Sequence, residues 1–62
     1  MPLIEVKAFE RRFGDEATNE RLIARLTDAM CEVLGEDVRE EIWVVLDGVD
    51  PTRWGFGGRV RS

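Results

Sequence analysis

The chain has 62 residues and only one cysteine, Cys31. Short length and a single cysteine together exclude most of the ways in which so small a domain is stabilised. A domain of about 60 residues buries only about 60% of its unfolded surface, so it usually depends on disulfides, a metal or partner subunits. One cysteine cannot close a disulfide within the chain, and without histidine it cannot build a four-ligand zinc site. We therefore expect a single domain, residues 1–62, that is stabilised by oligomerisation.

The hydrophobic pattern predicts a strand followed by a long helix. Leu3–Phe9 is mostly apolar with charged residues interleaved on one face, which indicates a strand. Asp15 offers an N-cap oxygen for a helix over Glu16–Leu34, and Gly35 is a natural C-terminal cap. Apolar residues recur in this helix at spacings of three and four and predict one buried stripe: Leu22, Ile23, Leu26, Ala29, Met30, Val33 and Leu34.

Ile42–Leu46 is apolar on both faces, a pattern typical of a strand that is buried on both sides. The helix can cover one side, and the rest of the chain is too short to cover the other, so we expect a partner subunit there. A strand–helix–strand unit forms a right-handed parallel crossover. The expected fold class is therefore α/β (α+β): a single βαβ unit with a short C-terminal β-hairpin.

The remaining segments are expected to be connections. Residues 10–14 and the acidic stretch 36–41 are predicted as loops, and Asp47–Pro51 as a turn-rich connection. Trp54–Gly58 is predicted to form the short hairpin with Val60. The acidic residues lack the glycine-centred spacing of a calcium loop, so no metal site is expected.

The charge balance and apolar runs exclude several classes of protein. A net charge of −4 argues against nucleic-acid binding, which usually requires a basic face. The longest apolar run, Ile42–Leu46, is far shorter than the ~20 residues that cross a bilayer. The N-terminus does not resemble a signal peptide. A lone cysteine suits a reducing compartment, and a cytoplasmic location is expected.

Pro2 is the most informative residue for chemistry. The chain has no histidine or tyrosine and its only serine is Ser62, so Ser-His and Cys-His nucleophile pairs are excluded. Removal of Met1 would leave a secondary amine, and a free α-amino group titrates near ~7.7–8.0. An apolar pocket or a nearby arginine would lower that pKa further, toward the range useful to a general base. The alternative is that Pro2 simply begins a strand.

Three features together resemble the 4-oxalocrotonate tautomerase family over the whole chain. They are the strand that begins Pro2-Leu3-Ile4, the arginine that ends the following loop, and Trp54-Gly55-Phe56-Gly57-Gly58. The resemblance implies a βαβ subunit, a hexamer, and interconversion of enol and keto forms of small unsaturated 2-oxo acids without a cofactor. It also implies a terminal proline that moves the proton, and arginines that bind the substrate carboxylates.

Residue by residue, the resemblance assigns three roles. Pro2 matches the general base. Glu10-Arg11-Arg12 stands where the family often has Glu-Gly-Arg, so Arg12 matches a carboxylate-binding arginine and Arg11 is expected to be a solvated charge. Trp54 matches an apolar wall that would depress the pKa of the Pro2 amine by desolvating its charged form.

Trp43 departs from the family pattern, which commonly has a second catalytic arginine at this point of the second strand. An indole cannot pair bidentately with a carboxylate. Trp43 is expected either to line the substrate site or to pack between subunits. Arg39 is the first candidate for the missing charge, although a surface role is favoured for it. We expect weak activity on dicarboxylates and a preference for a substrate with one carboxylate and one apolar end.

The leading hypothesis is an isomerase that acts on a small-molecule carboxylate as a homohexamer. One alternative is that the chain is one subunit type of a heterohexameric tautomerase or dehalogenase-like enzyme, in which the other subunit carries the missing arginine. Another is a catalytically decayed homologue that keeps only the assembly. In every case the role of Pro2 requires loss of Met1, because an acylated proline nitrogen is not a base.

Overall fold

The computed structural model describes residues 1–60 and contains a parallel pair of strands joined by a long helix. The elements are β1 (Leu3–Phe9), α1 (Glu16–Leu34), β2 (Trp43–Val49), β3 (Gly55–Phe56) and β4 (Arg59–Val60). In the parallel pair, Leu3 lies opposite Trp43 and Phe9 lies opposite Val49, while β3 and β4 form an antiparallel hairpin. The predicted α+β fold, a βαβ unit with a short C-terminal hairpin, is confirmed.

Both ends of α1 follow the capping chemistry that the sequence predicts. The Asp15 carboxylate accepts hydrogen bonds from the Thr18 backbone N–H at 3.2 Å and from the Thr18 hydroxyl at 2.7 Å. These bonds stabilise the charged form and lower the pKa of Asp15. At the other end, Gly35 has a φ of 107° and its N–H donates to the Cys31 carbonyl at 2.8 Å. The helix therefore begins and ends where its caps require.

The second strand differs from its predicted bounds of Ile42–Leu46. It begins at Trp43 and continues to Val49, so the predicted turn-rich connection over Asp47–Pro51 is wrong for its first three residues. Pairing with the seven-residue β1 extends the strand through Asp47 and Gly48. A Cβ on Gly48 would lie 2.9 Å from the Glu10 Cα, so this glycine permits a close backbone approach instead of a turn.

The predicted loops also contain short helical turns. Residues Glu10–Phe13, Glu36–Glu41 and Pro51–Arg53 each form a 3₁₀ turn. The last of these turns begins at Pro51, where a missing N–H costs no hydrogen bond.

The buried stripe of α1 is narrower than the one predicted. Leu22, Leu26 and Met30 are half-buried, but Val33 is 84% exposed and Cys31 is the most buried residue described. The predicted burial of Ile23, Ala29, Val33 and Leu34 is wrong, because a sheet of only two strands about 4.8 Å apart covers a narrow strip of the helix surface.

The chain alone is expanded for its size. Among residues 1–60, only Cys31 and Ile42 are buried. The accessible surface is 4931 Å², against about 4,100 Å² for a compact monomer of this mass. The radius of gyration is 14.3 Å, against about 10.6 Å for a compact domain of this length. Within the described residues, no helix has the length and apolar character needed to cross a membrane.

Candidate active site

Pro2 is fixed at the start of the strand pair through its carbonyl group. The Trp43 backbone N–H donates to the Pro2 carbonyl at 2.9 Å, and Leu3 then begins the regular ladder with Trp43 as its partner. Pro2 itself is half-buried. The Pro2 nitrogen carries no hydrogen, so it cannot donate to the strand ladder. With Met1 attached that nitrogen is an amide, and the Met1 residue is 75% exposed.

Trp43 gives this end of the molecule an apolar surface. It lies on the exposed face of the strand pair with Leu3 and Val45, and about half of each of these side chains is accessible. The structure therefore brings together two of the predicted site residues, Pro2 and Trp43. Whether the indole lines a substrate site or packs between subunits stays a prediction.

An aromatic cluster lies where the two strands end. The rings of Phe9 and Trp54 meet edge to face with centroids 4.8 Å apart, and Phe56 stacks on Trp54 at 6.4 Å. The Arg11 guanidinium carbon lies 5.2 Å from the centroid of the Phe9 ring. Arg11 is exposed, as predicted, and it also caps the cluster through a cation–π contact.

Arg12 is presented from the 3₁₀ turn that follows β1. Its side chain is exposed, and within residues 1–60 it has no carboxylate at ion-pair distance. The turn is tied to α1 because the Asn19 Nδ2 donates to the Phe13 carbonyl at 2.8 Å. The Arg12 guanidinium is therefore carried on a fixed backbone and is available to an anion.

A surface cavity of about 330 Å³ opens beside Trp54 and is lined by Lys7, Val49, Arg53, Trp54 and Gly55. Lys7 Nζ lies 2.8 Å from Asp47 Oδ2 across the strand pair, and this contact raises the pKa of Lys7. Our sequence reasoning did not single out Arg53. The sequence feature that could have identified Arg53 is its position directly before Trp54, which places a cation beside the predicted apolar wall.

Arg39 is engaged in two ion pairs at the C-terminal end of α1. Its Nε and Nη2 donate to the Glu36 carboxylate at 2.8 and 2.9 Å, and Nη2 lies 3.0 Å from Asp28 Oδ1. These carboxylates raise the pKa of Arg39. The nearby Cys31 thiol also has a raised pKa, chiefly because burial disfavours the thiolate. The bridge connects α1 to the turn that precedes β2.

The predicted site residues thus fall into two groups at opposite ends of the strand pair. Pro2 and Trp43 lie where the strands begin, while Arg12 and Trp54 follow the ends of β1 and β2. A seven-residue strand separates the groups by about 23 Å. Within one chain, the structure does not bring Pro2 together with Arg12 or Trp54. Among the described residues, no cluster of three or more metal-ligating side chains is present.

Comparison with known proteins identifies the family to which the chain belongs. The family model described as "Tautomerase enzyme" matches residues 2–62, which is nearly the whole chain. A search of curated proteins and a search of solved structures each gave no significant match. The matched range includes every candidate residue discussed above. The chain therefore belongs to the tautomerase family, a membership that supports an isomerase type of function.

Proposed function

We propose that this chain is a cofactor-independent tautomerase that interconverts enol and keto forms of a small unsaturated 2-oxo acid, with Pro2 as general base after removal of Met1. The observation that carries the proposal is the anchoring of Pro2. Its carbonyl accepts a hydrogen bond from the Trp43 N–H at 2.9 Å, so Pro2 is held at the start of the strand pair, where loss of Met1 would expose its nitrogen as a secondary amine. An apolar neighbour such as Trp43 favours the neutral, basic form of an amine.

The active site is proposed to form between two copies of the chain. A small substrate cannot span the roughly 23 Å that separates Pro2 from the arginines at the other end of β1. A second copy would bring its own Arg12 and Trp54 to the Pro2 and Trp43 of the first. The exposed apolar residues Leu3, Trp43 and Val45 and the expanded shape of the single chain support such an assembly.

The proposed assembly is a homohexamer, as the resemblance to 4-oxalocrotonate tautomerase implies. Closed symmetric oligomers are the usual form of soluble assemblies of one chain, and symmetry would give every subunit an equivalent site. A heterohexamer with a related short chain is the alternative, and it follows from the tryptophan at position 43 where an arginine is usual.

The chemistry requires only a proton transfer. The Pro2 nitrogen takes a proton from the enol hydroxyl or from one carbon of the substrate and returns it to another carbon, so atoms and charge balance without an oxidant. Arg12 binds the substrate carboxylate, and Trp54 forms an apolar wall. Positioned acid–base groups typically contribute 10²–10⁴-fold to such reactions.

The proposal is tested by three measurements on the purified chain. Intact mass should show loss of Met1, light scattering after size exclusion should give a hexamer of the 7.1 kDa chain, and phenylenolpyruvate should ketonise faster than in buffer. A monomer at micromolar concentration would contradict the assembly. A Met1-free hexamer without turnover would favour a decayed homologue. Turnover that appears only on addition of a second, related short chain would favour the heterohexamer.

A further inference from the structure

We propose that the cavity beside Trp54 binds the head group of a 2-oxo acid, with Arg53 as the residue that contacts its carboxylate and 2-oxo oxygen. The choice of ligand rests on the proposed function. The cavity and the position of Arg53 beside it are features of the structure and are independent of the proposed function.

The size and lining of the cavity suit a small anion with an apolar body. Its volume of about 330 Å³ falls at the lower end of the range typical of small-molecule sites. Val49 and the Trp54 indole supply apolar surface and Arg53 supplies positive charge, while the charge of Lys7 is offset by its ion pair with Asp47. None of the described residues that line the cavity is acidic. The lining therefore favours a ligand that carries negative charge at one end.

Of the two cations, Arg53 is the one available to a ligand. Lys7 is held 2.8 Å from Asp47, which neutralises its charge. Arg53 is exposed and, within residues 1–60, has no carboxylate at ion-pair distance. Asp50, three residues earlier in the chain, accepts hydrogen bonds at Oδ1 from the Thr52 N–H at 2.9 Å and from the Thr52 hydroxyl at 2.8 Å. These bonds and, to a lesser extent, the nearby Arg53 charge lower the pKa of Asp50, without an ion pair between the two side chains.

The same Asp50 contacts fix the backbone that carries the site. Arg53 N–H donates to the Asp50 carbonyl at 2.8 Å, and Trp54 N–H donates to the Pro51 carbonyl at 3.1 Å. Pro51 restricts the backbone further. Arg53 and Trp54 are thus presented from a preorganised turn, which reduces the entropy lost when a ligand binds.

A 2-oxo acid matches the geometry of a guanidinium group. One carboxylate oxygen and the 2-oxo oxygen lie side by side in a plane, and a planar fork of N–H donors can contact both at once. Negative charge grows on the 2-oxo oxygen as the enolate forms, so a fixed cation there stabilises the transition state as well as the bound acid.

The binding test uses a 2-oxo acid that cannot react. Trimethylpyruvate has the carboxylate and the 2-oxo group but no hydrogen on C3, so it cannot enolise. In a Trp43→Phe background, Trp54 is the only tryptophan and its fluorescence reports the cavity. Loss of a charged hydrogen-bond donor in Arg53→Ala should weaken binding of trimethylpyruvate by about tenfold to a hundredfold. Arg53→Lys should lose less, because it keeps the charge but not the fork.

The matched control is Arg59→Ala, which removes the same charge from an exposed residue of β4 outside the cavity lining. Size exclusion and circular dichroism of each variant establish that assembly and fold are kept. Wild-type affinity of the Arg53→Ala protein for trimethylpyruvate would overturn the inference. An equal loss in Arg53→Ala and Arg59→Ala would also overturn it, because net charge alone would then explain binding.

Turnover separates this inference from the proposed function. If phenylenolpyruvate ketonises in a Pro2-dependent way, Arg53→Ala should lower kcat as well as raise KM, and unchanged kinetics would refute the role of Arg53. If the wild-type protein shows no turnover but still binds trimethylpyruvate through Arg53, the proposed function fails and the assignment of the cavity stands.

Discussion

The two ends of the strand pair differ in almost every property that matters for chemistry. Where β1 and β2 begin, the surface is apolar and carries Pro2 and Trp43. Where they end, three aromatic rings pack together, and arginines are presented from short 3₁₀ turns. The proposed base, Pro2, lies at the first end, whereas the proposed carboxylate-binding residue, Arg12, lies at the second.

This division gives a physical reason for assembly that is separate from stability. Small domains often associate because their cores are insufficient, and the scarcity of buried residues in this chain agrees with that reason. Under the proposed function, each end also lacks a residue that the other supplies. A second copy that brings the two ends together would complete the core and the proposed site in one step.

Replacement of Pro2 should have the largest effect, because it changes the only group proposed to move the proton. We expect Pro2→Ala to lower kcat for ketonisation of phenylenolpyruvate by about 10²-fold or more, with some activity kept because a primary amine remains. Steady-state kinetics measure the change, and circular dichroism checks the fold. If this variant turned over substrate at the wild-type rate, Pro2 could not be the general base.

Arg12→Ala should have the next largest effect and tests the opposite end. Loss of one charge-assisted contact to the substrate carboxylate should lower kcat/KM by about one to two orders of magnitude. The control is Arg25→Ala, which removes an exposed arginine from α1. If the two variants behave alike, Arg12 does not contact the substrate and only net charge matters.

Trp43→Arg should have a smaller effect, on selectivity. An arginine at this position can pair with a second carboxylate, so the ratio of kcat/KM for 2-hydroxymuconate to that for phenylenolpyruvate should rise by about tenfold. Trp43→Phe keeps an apolar side chain and should leave the ratio nearly unchanged. If the wild-type protein already strongly prefers the dicarboxylate, another arginine reaches the site and the role given to Trp43 is wrong.

Arg39→Ala should have the smallest effect, because its partners Asp28 and Glu36 lie on the same part of the surface. Partly exposed ion pairs typically contribute less than about 1 kcal/mol each. We expect a slightly lower free energy of unfolding in urea, measured at fixed subunit concentration, and unchanged turnover. A large fall in kcat/KM with an unchanged unfolding midpoint would show that Arg39 supplies the missing charge after all.

The sequence predicted the features that depend on local chemistry and missed those that depend on neighbours. The bounds of β1 and α1 follow from alternation and from the capping chemistry of Asp15 and Gly35. Asp47 and Gly48 look like turn residues, yet pairing with β1 holds them in a strand. The exposure of Val33 depends on how far the sheet extends beneath α1, which periodicity cannot predict.

The candidate site divides in the same way. A motif resemblance identified Pro2, Arg12, Trp43 and Trp54, because family patterns preserve residue types along the chain. Arg53 was missed because its interest comes from the cavity it shares with Lys7 and from the absence of a carboxylate partner among the described residues. Neither property is visible in the sequence. The separation of Pro2 from Arg12 likewise appears only once β1 is seen as a straight strand between them.

Subunit complementation tests most directly whether the two ends of different copies form one site. The Pro2→Ala and Arg12→Ala proteins, each weakly active alone, are mixed in equal amounts, unfolded, refolded together and assayed with phenylenolpyruvate. If each site takes Pro2 from one copy and Arg12 from another, random assembly restores about a quarter of the wild-type activity. If both residues act within one chain, no intact site can form and the mixture stays at the average of the two separate variants.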